Sequence, residues 1–352
     1  MKTILQFILI LILLAGCNTN KSKTIIVAGI LPLTGAGAEA GTSAKNATEF
    51  CIYKWNTKGG IMNIPIKSEF LDSKADPKLG HSLASKLANF SHPNIVVEGI
   101  SGVVLNTQPI LERNKIIQLA IVATDNILIN DPQYTIRNYT IPSEICRQFF
   151  NELQNKFKKK EFMLFYANTE YALTFKKEFE RQAATQNINI KGIQIYDEND
   201  LSYRNIILKS NLNNDDVIYI SGQYQALGRL VKQLRESGHI GYIVSDSHLN
   251  SQSVLNAIGS NQKNLSYINI KKTPATMALM AEYEKKYNTP MDDFALLTFN
   301  GLNILLTYMY EHNTIDNSEI MKNINGYEYN GPIGKSKIKN NDVLIEFELK
   351  DL

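Results

Sequence analysis

Several residue patterns in the 352-residue chain could support catalysis, and each fails on spacing or placement. The loop Gly35-Ala36-Gly37-Ala38-Glu39-Ala40-Gly41 follows an apolar run and precedes a helical pattern, as a dinucleotide-cradling loop would. Its third glycine falls one position late for G-x-G-x-x-G, and Asp72 is not the ribose partner that motif expects. Ser336-Lys337-Ile338-Lys339 fits S-x-x-K, but it lies on a predicted strand, whereas the working motif opens a helix. His81, His92, His239, His248 and His312 are scattered, and neither H-E-x-x-H nor G-x-S-x-G occurs. Metal and triad chemistry therefore have no support, and the chain reads as a non-enzyme with no implied cofactor. What remains is recognition: hydroxyls, aromatic rings and carboxylates placed where predicted strands end.

The elements that must position such residues alternate. A strand at 25–31 is followed by a helix over 41–55, which Gly59-Gly60 terminates because glycine enters the left-handed region cheaply. A second strand over 64–71 ends at Asp72. Helix 78–90, strand 95–98, helix 105–113 and strand 116–122 follow, and 134–141 crosses out of the pattern. A second set then runs helix 144–157, strand 162–166, helix 172–186, strand 189–196, helix 202–211, strand 217–221, helix 225–237 and strand 240–245. Strand 265–270 leads into long helices at 274–287 and 294–311, and the tail at 331–349 reads as a hairpin. Continuous aliphatic strands separated by helices predict parallel sheets covered on both faces. The chain is thus expected to be α/β, with two doubly wound parallel-sheet lobes joined by a multi-strand hinge. The expected divisions are 1–16 leader, 17–23 tether, 24–141 with 271–326 as the first lobe, and 142–270 with 327–352 as the second.

The N-terminus bears on compartment. Lys2 precedes a short apolar run at 8–15 and then Leu14-Ala15-Gly16-Cys17. A span needs about 20 apolar residues, so this reads as a secretory h-region. Small residues before a cysteine resemble a bacterial lipobox, which implies a lipoprotein signal peptide and acylation of Cys17; an incidental cysteine behind an ordinary signal peptide is the other reading. The expected location is exported and lipid-anchored to a bacterial membrane, on the periplasmic or cell-surface side.

Composition sets outer limits. Hydrophobic residues make up 44% and charged residues 20%, ordinary for a globular chain with sizeable cores. A formal net charge of +3, with its charges dispersed, gives no reason to expect nucleic acid. The basic cluster Lys156, Lys158, Lys159 and Lys160 falls where a helix ends and reads as a solvated terminus complementing the dipole. Cys51 and Cys146 read as buried thiols in different lobes. A monomer or weak dimer is expected.

Pro32-Leu33-Thr34-Gly35, followed by Asn56-Thr57-Lys58-Gly59-Gly60-Ile61 and then a strand ending in Asp72, resembles the leucine/isoleucine/valine-binding family of extracytoplasmic solute receptors. The resemblance covers nearly the whole chain after the leader and implies the type I periplasmic-binding-protein fold, with a ligand held between lobes at the carboxyl ends of strands. The family commonly carries a hydroxyl four residues after Gly99. Here that position is Val103, which leaves Ser101 as the nearby hydroxyl. Val122-Ala123-Thr124 is similar to the family's small-x-Thr segment, so Val122 and Thr124 would meet a ligand carboxylate, unless Thr124 caps the following turn. Tyr171, in Thr169-Glu170-Tyr171-Ala172, would close over the ligand or serve as ordinary loop cover. Tyr224, after Ser221-Gly222-Gln223, would form a cleft wall. Asp246 or Ser247 would face a ligand ammonium, or Asp246 would cap the stretch that follows. The implied function is a solute-binding protein capturing an amino acid, amide or carboxylate for an ABC-type permease. Two alternatives share the fold: a lipoprotein activating peptidoglycan synthase, and a ligand-sensing subunit of a signalling system.

Overall fold

The computed structural model describes residues 23–35, 37–122, 128, 131–139 and 142–352. Cys17 and Thr124 lie outside the described residues. Five strands open the chain: β1 (Ile25–Leu31), β2 (Ile66–Asp72), β3 (Ile95–Glu98), β4 (Ile117–Ala120) and β5 (Thr135–Arg137). They pair in parallel in the order β5-β4-β3-β1-β2. Every residue of β3 and β4 is buried; their side chains are aliphatic except Glu98 and Gln118, which hydrogen-bond to each other. The edge strand β2 is buried only at its first residue and carries charge elsewhere.

The second sheet is built from β6 (Glu161–Ala167), β7 (Asn189–Tyr196), β8 (Ile218–Ser221), β9 (Ile243–Asp246) and β10 (Leu265–Ile270), in the order β10-β9-β8-β6-β7, again parallel. Its core is aromatic. Phe149 packs edge-on against Phe162 at 5.0 Å, Phe179 at 5.4 Å and Tyr219 at 5.1 Å, a geometry that adds roughly 0.5–1.5 kcal/mol per pair beyond area burial.

The chain returns to the first lobe through helices Pro274–Tyr287 and Asp293–Glu311. The latter lies against helix Ala38–Asn56, with Phe50 on Phe299 and the Trp55 indole N–H donating to Asn303 Oδ1 at 2.8 Å.

The tail departs from expectation. It is not one hairpin of the second lobe: β11 (Glu328–Gly331), β12 (Gly334–Lys339) and β13 (Asp342–Leu344) extend the first sheet, giving the order β11-β12-β13-β5-β4-β3-β1-β2. Only β14 (Phe347–Asp351) joins the second, antiparallel to β10. The assignment of 327–352 to the second lobe is therefore corrected for residues 328–344. An ion pair selects the partner: Arg137, 3% exposed in β5, gives its Nε to Asp342 Oδ1 at 2.5 Å and its Nη2 to Oδ2 at 2.7 Å. Cys51 and Cys146 are both buried, and no disulfide joins them.

Candidate functional site

The carboxyl ends of β1, β3 and β4 face those of β6, β7 and β8 across a cavity of about 720 Å³ lined by both lobes. Each wall follows from local chemistry.

In the first lobe, Asp72 at the end of β2 clasps the loop after β1. Its carboxylate accepts the Leu33, Thr34 and Lys74 N–H groups at 2.9, 3.3 and 2.9 Å, and the Thr34 hydroxyl at 2.6 Å. Slight desolvation is outweighed by these donors, and its pKa is lowered. Gly41 permits the close approach of this loop to the next helix, because a Cβ there would stand 2.1 Å from the Pro32 carbonyl oxygen.

The helix expected from 105 begins earlier, at Ser101, after Gly99-Ile100. No side chain caps it, and Gly99, Ile100, Ser101 and Gly102 at its start line the cavity. Ser101 is thus in the wall. Val103 is fully buried in the core, its Cγ1 against Gly80. Beneath this loop Glu98 is buried: Oε2 accepts from Thr107 Oγ1 at 2.8 Å and Gln118 Nε2 at 2.5 Å, while Oε1 has no partner among the described residues. Burial, against the pull of those two donors, pushes its pKa up to about 8.

Val122 lines the cavity beside Ile121. Tyr139 and Phe294, on segments near the lobe crossings, add an aromatic floor, 6.5 Å apart and edge-on.

In the second lobe, Thr169 caps helix Glu170–Gln186 by accepting the Ala172 N–H at 3.2 Å, which presents Tyr171 to the cavity. Tyr171 is only 6% exposed, and its hydroxyl donates to Asp246 Oδ2. Asp246 Oδ1 accepts the His248 backbone N–H at 2.9 Å and lies 2.7 Å from His248 Nδ1. Burial disfavours the imidazolium, but the Asp246 carboxylate, aided by Glu198 and Asp292, more than offsets this and raises the His248 pKa. Asp246 and Ser247 are not among the residues that line the cavity. Asp246 is 1% exposed and caps the short turn Ser247–Asn250.

Gly222 is demanded by crowding, since a Cβ there would stand 1.7 Å from the Tyr196 hydroxyl. The following helix starts at Tyr224, whose φ of 54° is left-handed backbone that costs an L-residue of order 1–3 kcal/mol. That turn sends the ring across the cavity: its hydroxyl would lie 3.7 Å from a Cβ at Gly37, in the opposite lobe. Burial, with Glu198 and Glu39 nearby, raises its pKa well above the ordinary value.

Sequence reasoning does not single out Glu198, Arg229, Gln223 or His248. Glu198 sits just past β7 and lines the cavity. Arg229 donates from Nη2 to the Glu198 carbonyl at 2.7 Å and the Asp200 carbonyl at 3.3 Å, pinning that loop. The visible signal is the acidic stretch Asp197-Glu198-Asn199-Asp200, which looks like any polar loop. Among the described residues, no group of three or more His, Cys, Asp or Glu could hold a metal ion, and no helix is long and apolar enough to cross a membrane.

Residues 24–345 match the family described as periplasmic binding protein. Leu/Ile/Val-binding protein homolog 2 of Brucella abortus (strain 2308) is 23% identical over 238 residues, 65% of this chain. The match spans 62% of that relative's length, just under two thirds. The branched-chain amino acid transporter substrate binding protein LivJ of Streptococcus pneumoniae, solved in complex with isoleucine, superposes with a TM-score of 0.80 at 19% identity, covering 94% of this chain and 100% of that one. A solute binding protein of an ABC transporter from Rhodopseudomonas palustris BisB5, solved with 3,4-dihydroxy benzoic acid, gives 0.82 at 15% identity, covering 93% of each chain.

Proposed function

We propose, from the premise that the chain belongs to the periplasmic binding protein family, that it captures a small polar ligand between its lobes and presents the closed form to an ABC-type permease. The observation that carries this reading is the cavity of about 720 Å³, walled by both lobes and crossed by Tyr224. A ligand there makes contacts with each lobe that exist together only when the lobes are closed, so binding shifts an open–closed equilibrium. The uncapped helix end at Ser101 suits a carboxylate, and the Thr124 hydroxyl is the donor the sequence offers for the same group. Tyr171, Tyr139, Phe294 and Tyr224 supply an apolar enclosure for the ligand's body. Two structural relatives were solved with isoleucine and with 3,4-dihydroxy benzoic acid, so an amino acid or an aromatic carboxylate is the class to try first. The protein works outside the cytoplasm, held to the membrane by lipid on Cys17.

A thermal-shift panel of amino acids, amides and aromatic carboxylates tests the reading. A ligand at one hundred times its Kd should stabilise the protein by roughly 2.7 kcal/mol through mass action. A folded protein that responds to no member would turn the reading toward an activator working by protein contacts.

A further inference from the structure

Resting on the reading of this cavity as a solute site, we propose that Glu198 is the residue that receives a cationic group of the ligand, and that Asp246 does not. Asp246 is spoken for: Tyr171 donates to one oxygen, and the His248 main chain and imidazole both approach the other. Tyr171 lines the cavity and Asp246 does not. With His248 protonated, the pair carries no net charge for a ligand to meet.

Glu198 is placed in the opposite way. It lines the cavity, takes one backbone N–H, from Gln223 at 3.3 Å, and forms no ion pair among the described residues. Arg229 turns Nη2 to the Glu198 and Asp200 carbonyls. Glu39 and Glu170 line the same cavity, and among the described residues Arg229 is the one basic side chain in its wall. Burial holds the Glu198 pKa above the ordinary carboxylate value despite the Gln223 N–H and the nearby His248 and Arg229. A buried carboxylate whose protein partners do not offset its desolvation is stabilised when a cation arrives.

An ammonium of the ligand belongs to the second lobe, at Glu198, while apolar contacts from both walls hold the ligand's body.

The test uses two matched trios: phenylalanine, 3-phenylpropanoate and 2-phenylethylamine; isoleucine, 3-methylpentanoate and 2-methylbutylamine. Each is titrated calorimetrically into the mature chain, into Glu198→Gln and into Asp246→Asn. Glu198→Gln keeps an oxygen for the Gln223 N–H, so an unchanged melting temperature without ligand separates recognition from helix capping. The expected result is at least a tenfold loss of affinity for the ammonium-bearing members in Glu198→Gln, with the acid-only member within threefold of wild type. Glu198→Asp should recover part of that loss, and Asp246→Asn should affect charged and uncharged ends alike. Equal losses across a trio in Glu198→Gln, no loss at all, or a selective loss in Asp246→Asn instead would overturn the assignment while leaving the solute site intact. Binding of no member by folded wild type would overturn the solute-site reading, and the role of Glu198 with it.

Discussion

Glu98 shows how the floor of the cavity couples stability to pH. Its pKa is about 8 in the folded protein and near the ordinary carboxylate value once unfolded. Between those values the unfolded chain has released a proton that the native chain keeps, so stability falls as pH rises from about 4.5 to about 8 and levels beyond. The slope is about 1.4 kcal/mol per pH unit, on the order of 2 kcal/mol between pH 6 and pH 8. Urea unfolding at those two pH values should show that loss in wild type and much less of it in Glu98→Gln; equal losses would put the coupling elsewhere. Residue by residue, the site is unevenly legible in the sequence. Ser101, Val122, Tyr171 and Tyr224 stand where strands end and helices begin, and that position alone brings them to the wall. Asp246 stands at a strand end too, yet its partner His248, two residues on in a tight turn, withdraws it from the cavity. Nothing in Asp197-Glu198-Asn199-Asp200 distinguishes the carboxylate that faces inward, because a loop has no periodicity to tell its faces apart.

Secondary elements are most legible where they are most buried. The fully buried β3, β4, β8 and β9 can be found as parts of short, mainly apolar runs between helical patterns. In β12 the alternation places Ser336 and Ile338 inward and Lys335, Lys337 and Lys339 outward, which fixes a face but names no partner strand. The partner is set by Arg137 and Asp342, 205 residues apart, a distance at which local pattern is silent. Asp342→Ala takes both carboxylate oxygens away from the buried Arg137 guanidinium and should destabilise the protein by roughly 1.5–3 kcal/mol. Hydrogen exchange should quicken first in Glu328–Gly331, Gly334–Lys339 and Asp342–Leu344, with the second sheet protected as before. Uniform loss of protection would mean that the pair does not govern this edge.

At the scale of the molecule, two lobes face one cavity, and a lipid on Cys17 would keep that cavity near a membrane-bound partner. Each buried methylene contributes about 0.8 kcal/mol, so two or three chains suffice for stable anchoring. Palmitate supplied to cells should label the wild type and not Cys17→Ser, which should appear in the soluble fraction; an unlabelled wild type would end the anchoring proposal. The division of the tail between both sheets has a further consequence, for biogenesis. Asp342 must find Arg137, and Phe347–Asp351 must find Leu265–Ile270, before either sheet is complete. Synthesis delivers these strands after everything they pair with. A nascent chain therefore lacks one edge of each sheet until residues 328–351 have emerged, so both lobes close late in synthesis.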